Sequence, residues 1–160
     1  MSRSTVDRRG FLSTLAATAA SGLLPATARA HRETRFPTRA ITSGPRHHWF
    51  GYYDKLQFDP TSRYVLGMEV AFEHRSPTGK DTIRIGMVDL AQEDRWIDLG
   101  HSNAWCWQQG CMLQWLPGSR TQILWNDRAK GRYVCRILNI ESGEGRTLPH
   151  PVYAVSPDGK

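Results

Sequence analysis

The stretch HHWFGYYDK at residues 47–55 sets two imidazoles, an aspartate and a lysine among four aromatic rings. A second stretch, AWCWQQGCM at 104–112, sets two amides and two thiols beside two tryptophans. Imidazole exchanges protons near neutral pH, so His47 or His48 has the chemistry of a general base or a metal ligand. Adjacent residues of an extended segment point to opposite faces, so at most one of the pair serves a given site. Asp54 beside Lys55, Glu69, the run Glu73-His74-Arg75, and Gln108 with Gln109 supply carboxylates, amides and a guanidinium, enough for an acid/base pair or an oxygen-rich cation site. Aromatic rings among such groups also suit stacking on sugar rings. The candidate ligand-binding residues are therefore His48, Tyr52, Asp54, Gln108 and Gln109, with catalytic and metal-ligating residues unassigned. The competing reading of Trp49, Phe50, Trp105 and Trp107 is plain packing between strands. No Ser-His-Asp, zinc or phosphate-loop signature is present.

These residues must be held by strands. From residue 47 onward, aromatic and β-branched runs are broken at short intervals by Pro, Gly, Asp and Ser, the pattern of an all-β chain. Three segments repeat: LQFDPTSRYVLGME (56–69), LQWLPGSRTQILWN (113–126) and YAVSPDGK (153–160). Each has an apolar strand end and a proline that fixes φ at a tight corner, and the first two continue into a return strand. TIRIGMVDL and RYVCRILNI then give a third strand, and RWIDLG and GRTLP a short fourth, so each unit reads as a four-stranded antiparallel meander. Pro60 to Pro117 is 57 residues and Pro117 to Pro157 is 40. Four strands at such a period is the pattern of a β-propeller blade. The expected blades cover about 47–100 and 101–150, with a third beginning at 151–160; a β-sandwich is the alternative. The third repeat stops within a hairpin, so the chain reads as the N-terminal part of a longer propeller. Aligning Pro60 with Pro117 sets Phe50 opposite Trp107, Tyr52 opposite Gln109 and Asp54 opposite Cys111, which places both aromatic stretches at the inner strand, beside one pocket.

The N-terminus carries a different instruction. Arg8-Arg9-Gly10-Phe11-Leu12 precedes a modestly apolar run and the small-x-small site Ala28-Arg29-Ala30, which reads as a twin-arginine (Tat-type) signal over 1–30, followed by a linker over 31–46. Its apolar part is too short to cross a bilayer of ~30 Å, so no stable membrane span is expected after cleavage. Residues 1–30 hold four arginines against one aspartate, so the net charge of +6 falls to +3 once they are removed. No basic run with interleaved aromatics remains, and nucleic acid is not an expected partner. Cys106, Cys111 and Cys135 are an odd set, and a bridge between Cys106 and Cys111 requires a turn at 108–110, because an extended segment would hold their Cα atoms beyond the ~7 Å limit. Small apolar side chains in packed strands are the simpler reading of all three.

The corner SPDGK after an apolar strand resembles that of TolB-like, PD40-type propeller repeats. Together with the signal, HHWFGYYDK and WCWQQGCMLQWLPG look like an exported bacterial propeller family of unassigned function, whose repeats are similar to those of oligogalacturonate lyases. The resemblance implies export through the Tat translocase to the periplasm or cell envelope. It also implies a binding or scaffold module facing an envelope protein or an acidic glycan. The alternative it implies is a carbohydrate-active enzyme acting on acidic oligosaccharides, with a divalent metal by analogy alone. No ligand of those lyases matches a numbered position here, so the enzyme reading rests on fold analogy.

Overall fold

The computed structural model describes residues 36–159, so the signal residues Arg8, Arg9, Phe11 and Leu12 and the cleavage residues Ala28 and Ala30 lie outside the described residues. Eight strands form: β1 (His47–Trp49), β2 (Tyr64–Val70), β3 (Ile83–Asp89), β4 (Arg95–Ser102), β5 (Gln114–Trp115), β6 (Gln122–Ala129), β7 (Arg132–Asn139) and β8 (Gly145–Leu148). They make two four-stranded antiparallel sheets, ordered β1-β2-β3-β4 and β5-β6-β7-β8, so each repeat is a meander as its sequence predicts. No helix occurs among the described residues. The return, third and fourth strands fall on the segments expected of them.

The corners explain why the strands begin where they do. In the first, the Asp59 carboxylate accepts from the N–H groups of Thr61 and Tyr64 at 2.9 and 2.6 Å and from the Thr61 hydroxyl. Burial pushes the Asp59 carboxyl up, and these bonds outweigh it and bring it below its ordinary value. In the second corner Ser119 Oγ plays that part, accepting from Thr121 and Gln122 N–H at 3.2 and 3.0 Å. The corners differ by one residue. Asp59 N–H donates to Tyr64 C=O, whereas Leu116 N–H donates to Gln122 C=O. Equivalent positions are thus 57 apart before the corner and 58 apart after it.

That residue corrects the ungapped alignment. Glu69 corresponds to Asp127, and it is Met68 that corresponds to Asn126. A shift of one position exchanges the two faces of a strand, so the difference decides which side chains meet the next sheet.

The inner strands correct it further. Trp49 pairs with Met68, and unbroken pairing would then bring residue 52 opposite Val65, yet Phe58 bridges Val65. The first inner strand therefore expels six residues as a loop within 50–57. In the second repeat Cys111 C=O accepts from Asn126 N–H and β5 follows closely, with only the left-handed Met112 (φ 60°) and Leu113 between. Trp49 and Cys111 are therefore the matching positions, and Tyr52 and Asp54 have no counterpart in the second repeat.

The sheets pack face to face. Leu66, Met68 and Val70 of β2 with Ile83, Ile85 and Met87 of β3 form one core with Cys111, Leu113, Trp115, Ile123 and Trp125. Trp115, 1% exposed, joins the two inner strands, its N–H donating to Leu56 C=O at 3.0 Å and its indole N–H to Gln57 C=O at 3.1 Å. Leu124 alternates to the far face of the second sheet, where it packs with Cys135 and Ile137 under Leu116, Leu148, Val152 and Val155. The third repeat thus begins by covering the second sheet, as the second covers the first.

Candidate functional site

The loop expelled from the first inner strand carries Tyr52, Asp54 and Lys55, closed by a turn in which Lys55 N–H donates to Tyr52 C=O at 3.2 Å. The Lys55 side chain is only 4% exposed, and its ammonium lies 3.1 Å from Asp54 Oδ1, a carboxylate on a side chain 48% exposed. The same nitrogen sits 5.9 Å from the centre of the Tyr52 ring and 5.2 Å from that of Tyr153, within range of cation–π attraction. A cleft of about 480 Å³ opens there, lined by Asp54, Lys55 and Leu56 from the first repeat, Gln114, Pro117 and Gly118 from the second, and Ala154, Val155 and Pro157 from the third. The inner-strand loop of the first repeat and the corners of the second and third therefore converge on one lysine. The third corner touches the second, since a Cβ on Gly159 would stand 2.7 Å from Pro117 C=O. Around the cleft, Tyr53, Leu56, Phe58 and Tyr153 are exposed. A cation with, among the described residues, one replaceable carboxylate partner beside aromatic and apolar surfaces has the makings of an anion site whose ligand also has apolar faces.

The two histidines part, as their alternation requires. His47 Nδ1 lies 3.1 Å from Glu73, while His48 Nε2 lies 3.1 Å from the buried Glu69 carboxylate. Glu69 is opposite His48 across the β1 and β2 pairing and also accepts from Arg84 at 2.7 Å, and Arg84 in turn donates to Asp98 at 2.6 Å. His48 meets Trp96 edge to face at 4.9 Å. Trp96 lies over the paired glycines Gly67 and Gly86, where added Cβ atoms would approach its ring to 3.2 and 2.2 Å. This group borders a second cleft of about 470 Å³ with Ile41, Glu93 and Asp94. His48 therefore belongs to a different site from Tyr52 and Asp54.

The tryptophans chiefly pack. Trp49 meets Trp105 at 5.5 Å and Trp107 at 5.3 Å, Phe72 joins them, and Phe50 lies against the shared core. The indole N–H groups of Trp105 and Trp107 donate to Asp81 and Arg75 C=O at 2.8 and 2.7 Å. Gln108 and Gln109 sit in a tight turn closed by paired backbone bonds between Cys106 and Gly110. A Cβ on Gly51 would stand 2.5 Å from Gln109 C=O, so the two aromatic stretches do touch, backbone against backbone. Neither glutamine lines the Lys55 cleft. The turn that a Cys106 to Cys111 bridge requires is present, yet all three thiols are free, Cys106 exposed and the others buried. Burial pushes Cys111 well above the ordinary thiol range and Cys135 up to about 11.

The Lys55 cleft has members the sequence did not single out. Tyr153 and Gln114 reach it from later repeats, and no local motif marks them. The Glu69, Arg84 and Trp96 group had one visible sign, the glycines at 67 and 86 inside strongly β-like runs, which mark a close approach. Among the described residues no three His, Cys, Asp or Glu side chains converge as a metal site, and no helix is long and apolar enough to cross a membrane. No protein-family model, curated protein or solved structure matches the chain.

Proposed function

We propose that the chain is an exported, propeller-type binding module of the cell envelope, carried out by the Tat translocase, whose inner-edge cleft takes an acidic saccharide. The two meanders act as successive blades in this reading, because each unit stacks face to face on the one before it. The observation that carries the ligand class is Lys55: a buried ammonium with, among the described residues, a single, half-exposed carboxylate partner, and with two tyrosine rings near it. A uronate carboxylate would replace or join Asp54, while the apolar faces of the sugar rest on Tyr53, Tyr153 or Leu56. Burial strengthens the attraction for an anion that enters the cleft, relative to the same pair in open water. The test is calorimetric titration of the full chain with trigalacturonate and with its methyl ester. The acid should bind far more tightly than the ester; equal binding, or none, overturns the reading.

A second reading has one observation of its own. His48 presents one ring nitrogen to buried Glu69, the arrangement that orients an imidazole for proton transfer. If the chain is a lyase, incubation with oligogalacturonate should release an unsaturated product, and His48→Ala should abolish that release.

A further inference from the structure

We infer that Asn126 is the positioning residue for the Lys55 cleft, an inference that rests on the acidic-saccharide reading only for its ligand measurement. Asn126 touches neither Lys55 nor the cleft, but every part of it holds a different repeat. Its backbone N–H donates to Cys111 C=O at 2.7 Å, the lead into the second inner strand. Its backbone C=O accepts from Ser102 Oγ at 2.6 Å, the end of the first sheet. Its side chain spans both polar groups of one residue of the third repeat: Nδ2 donates to Val152 C=O at 2.9 Å, and Oδ1 accepts from Val152 N–H at 2.8 Å.

An amide is suited to this, with a donor and an acceptor on separate atoms of one short side chain. A two-point bond to one residue's N–H and C=O fixes where the chain passes and which way it faces, and an aspartate would accept but not donate. Tyr153 is the next residue, so the clamp sets where its ring lies over Lys55. The equivalent position of the first repeat, Met68, meets the corresponding strand through Cys111 Sγ at 3.6 Å, a contact without direction. The polar clamp therefore occurs at the junction that borders the cleft, and an apolar contact suffices at the other. Asn126 is itself 9% exposed, so water competes little for these bonds.

The test uses the full chain and its four lysines, Lys55, Lys80, Lys130 and Lys160. Reductive methylation is followed site by site by peptide mass, with Lys80 and Lys130 as internal standards. In the unaltered chain Lys55 should react slowest. Asn126→Ala should speed Lys55 by roughly tenfold or more, since two hydrogen bonds cease to hold the closed arrangement. Asn126→Asp should give an intermediate rate, and Tyr153→Ala should reproduce the acceleration with the clamp intact. Continued protection of Cys111, which lies in the core shared by the two sheets and away from Val152, identifies the variants that remain folded. If Asn126→Ala unfolds, Asn126→Asp and Tyr153→Ala decide. Folded variants in which Lys55 reacts no faster overturn the inference.

The ligand measurement is the ratio of affinities for trigalacturonate and its methyl ester. A purely structural asparagine would leave that ratio unchanged; a positioning one should lower it several-fold. If the unaltered chain binds neither, the saccharide reading falls while the methylation rates still decide the role of Asn126.

Discussion

Lys55→Met separates a lysine kept for a ligand from one kept for the fold. The substitution retains an unbranched apolar stem and removes the ammonium. Three attractions are lost: an ion pair to a half-exposed carboxylate at 3.1 Å and two cation–π contacts at 5.2 and 5.9 Å. The ion pair is worth about 0–1 kcal/mol, because water screens its acid partner. The ring contacts are near the ~6 Å limit and contribute about 0.5 kcal/mol each. Against these stands the cost of holding an ammonium on a side chain only 4% exposed, which is several kcal/mol. The balance favours the variant by about 1–2 kcal/mol, or a rise in Tm of roughly 4 °C per kcal/mol for a domain of this size. The assay is a pair of urea and thermal melts at fixed ionic strength, beside a trigalacturonate titration. Higher stability with lost binding is the expected result. A loss of more than about 1 kcal/mol with binding retained would refute the reasoning, because the ammonium would then be a structural group adequately paired within the chain.

Gly86→Ala places a Cβ 2.2 Å from the Trp96 ring and 2.7 Å from Ile97 C=O, so it should cost about 1–3 kcal/mol in urea melts and change tryptophan fluorescence. Gly145→Ala, whose nearest neighbour is at 3.6 Å, should be near neutral. A thiol reagent at neutral pH should modify Cys106 alone in the native chain, and rapid reaction at Cys111 or Cys135 would contradict the shared core. The Arg63 guanidinium holds Asp89 below the ordinary carboxylate range, so its stabilising effect is present above that range and is lost as pH falls through the depressed value. Asp89→Asn should accordingly flatten the acid limb of a stability profile, and an unchanged limb would count against the pair. Replacing Arg8 and Arg9 by lysine should hold the precursor in the cytoplasm, with export scored by the processed N-terminus.

Strand positions were legible because their signals are local. Alternating β-branched and aromatic residues between Pro, Gly and Asp corners marked β2, β3, β6 and β7, and the repeated corner marked the turn from each inner strand into its return strand. Face assignments were not legible, since one extra residue at the second corner and six expelled from the first inner strand leave no mark in an ungapped comparison. Both change which side chains meet: the corner residue moves the counterpart of Met68 from Trp125 to Asn126, and the expelled loop moves that of Cys111 from Asp54 to Trp49. The candidate site divided for the same reason. Tyr52 and Asp54 ride on the expelled loop, whereas His48 stays in the strand and pairs across it with Glu69. Asp54 was recognisable from its neighbour Lys55, but Tyr153 lies about a hundred residues along and becomes a neighbour only when the third repeat docks.

The most direct measurement is an NMR titration of the full chain with its lysines carrying ¹³C-methyl groups, introduced under conditions that also modify Lys55. Four lysine signals are expected beside that of the N-terminal amine, and the Lys55 methyls should be displaced by the ring currents of Tyr52 and Tyr153. On addition of trigalacturonate the Lys55 signal should move and saturate, while those of Lys80 and Lys130 stay in place, and the methyl ester should move it only at much higher concentration. A Lys55 signal that does not respond, or that moves no more than the exposed lysines, would contradict the claim that this cleft is a binding site for an acidic saccharide.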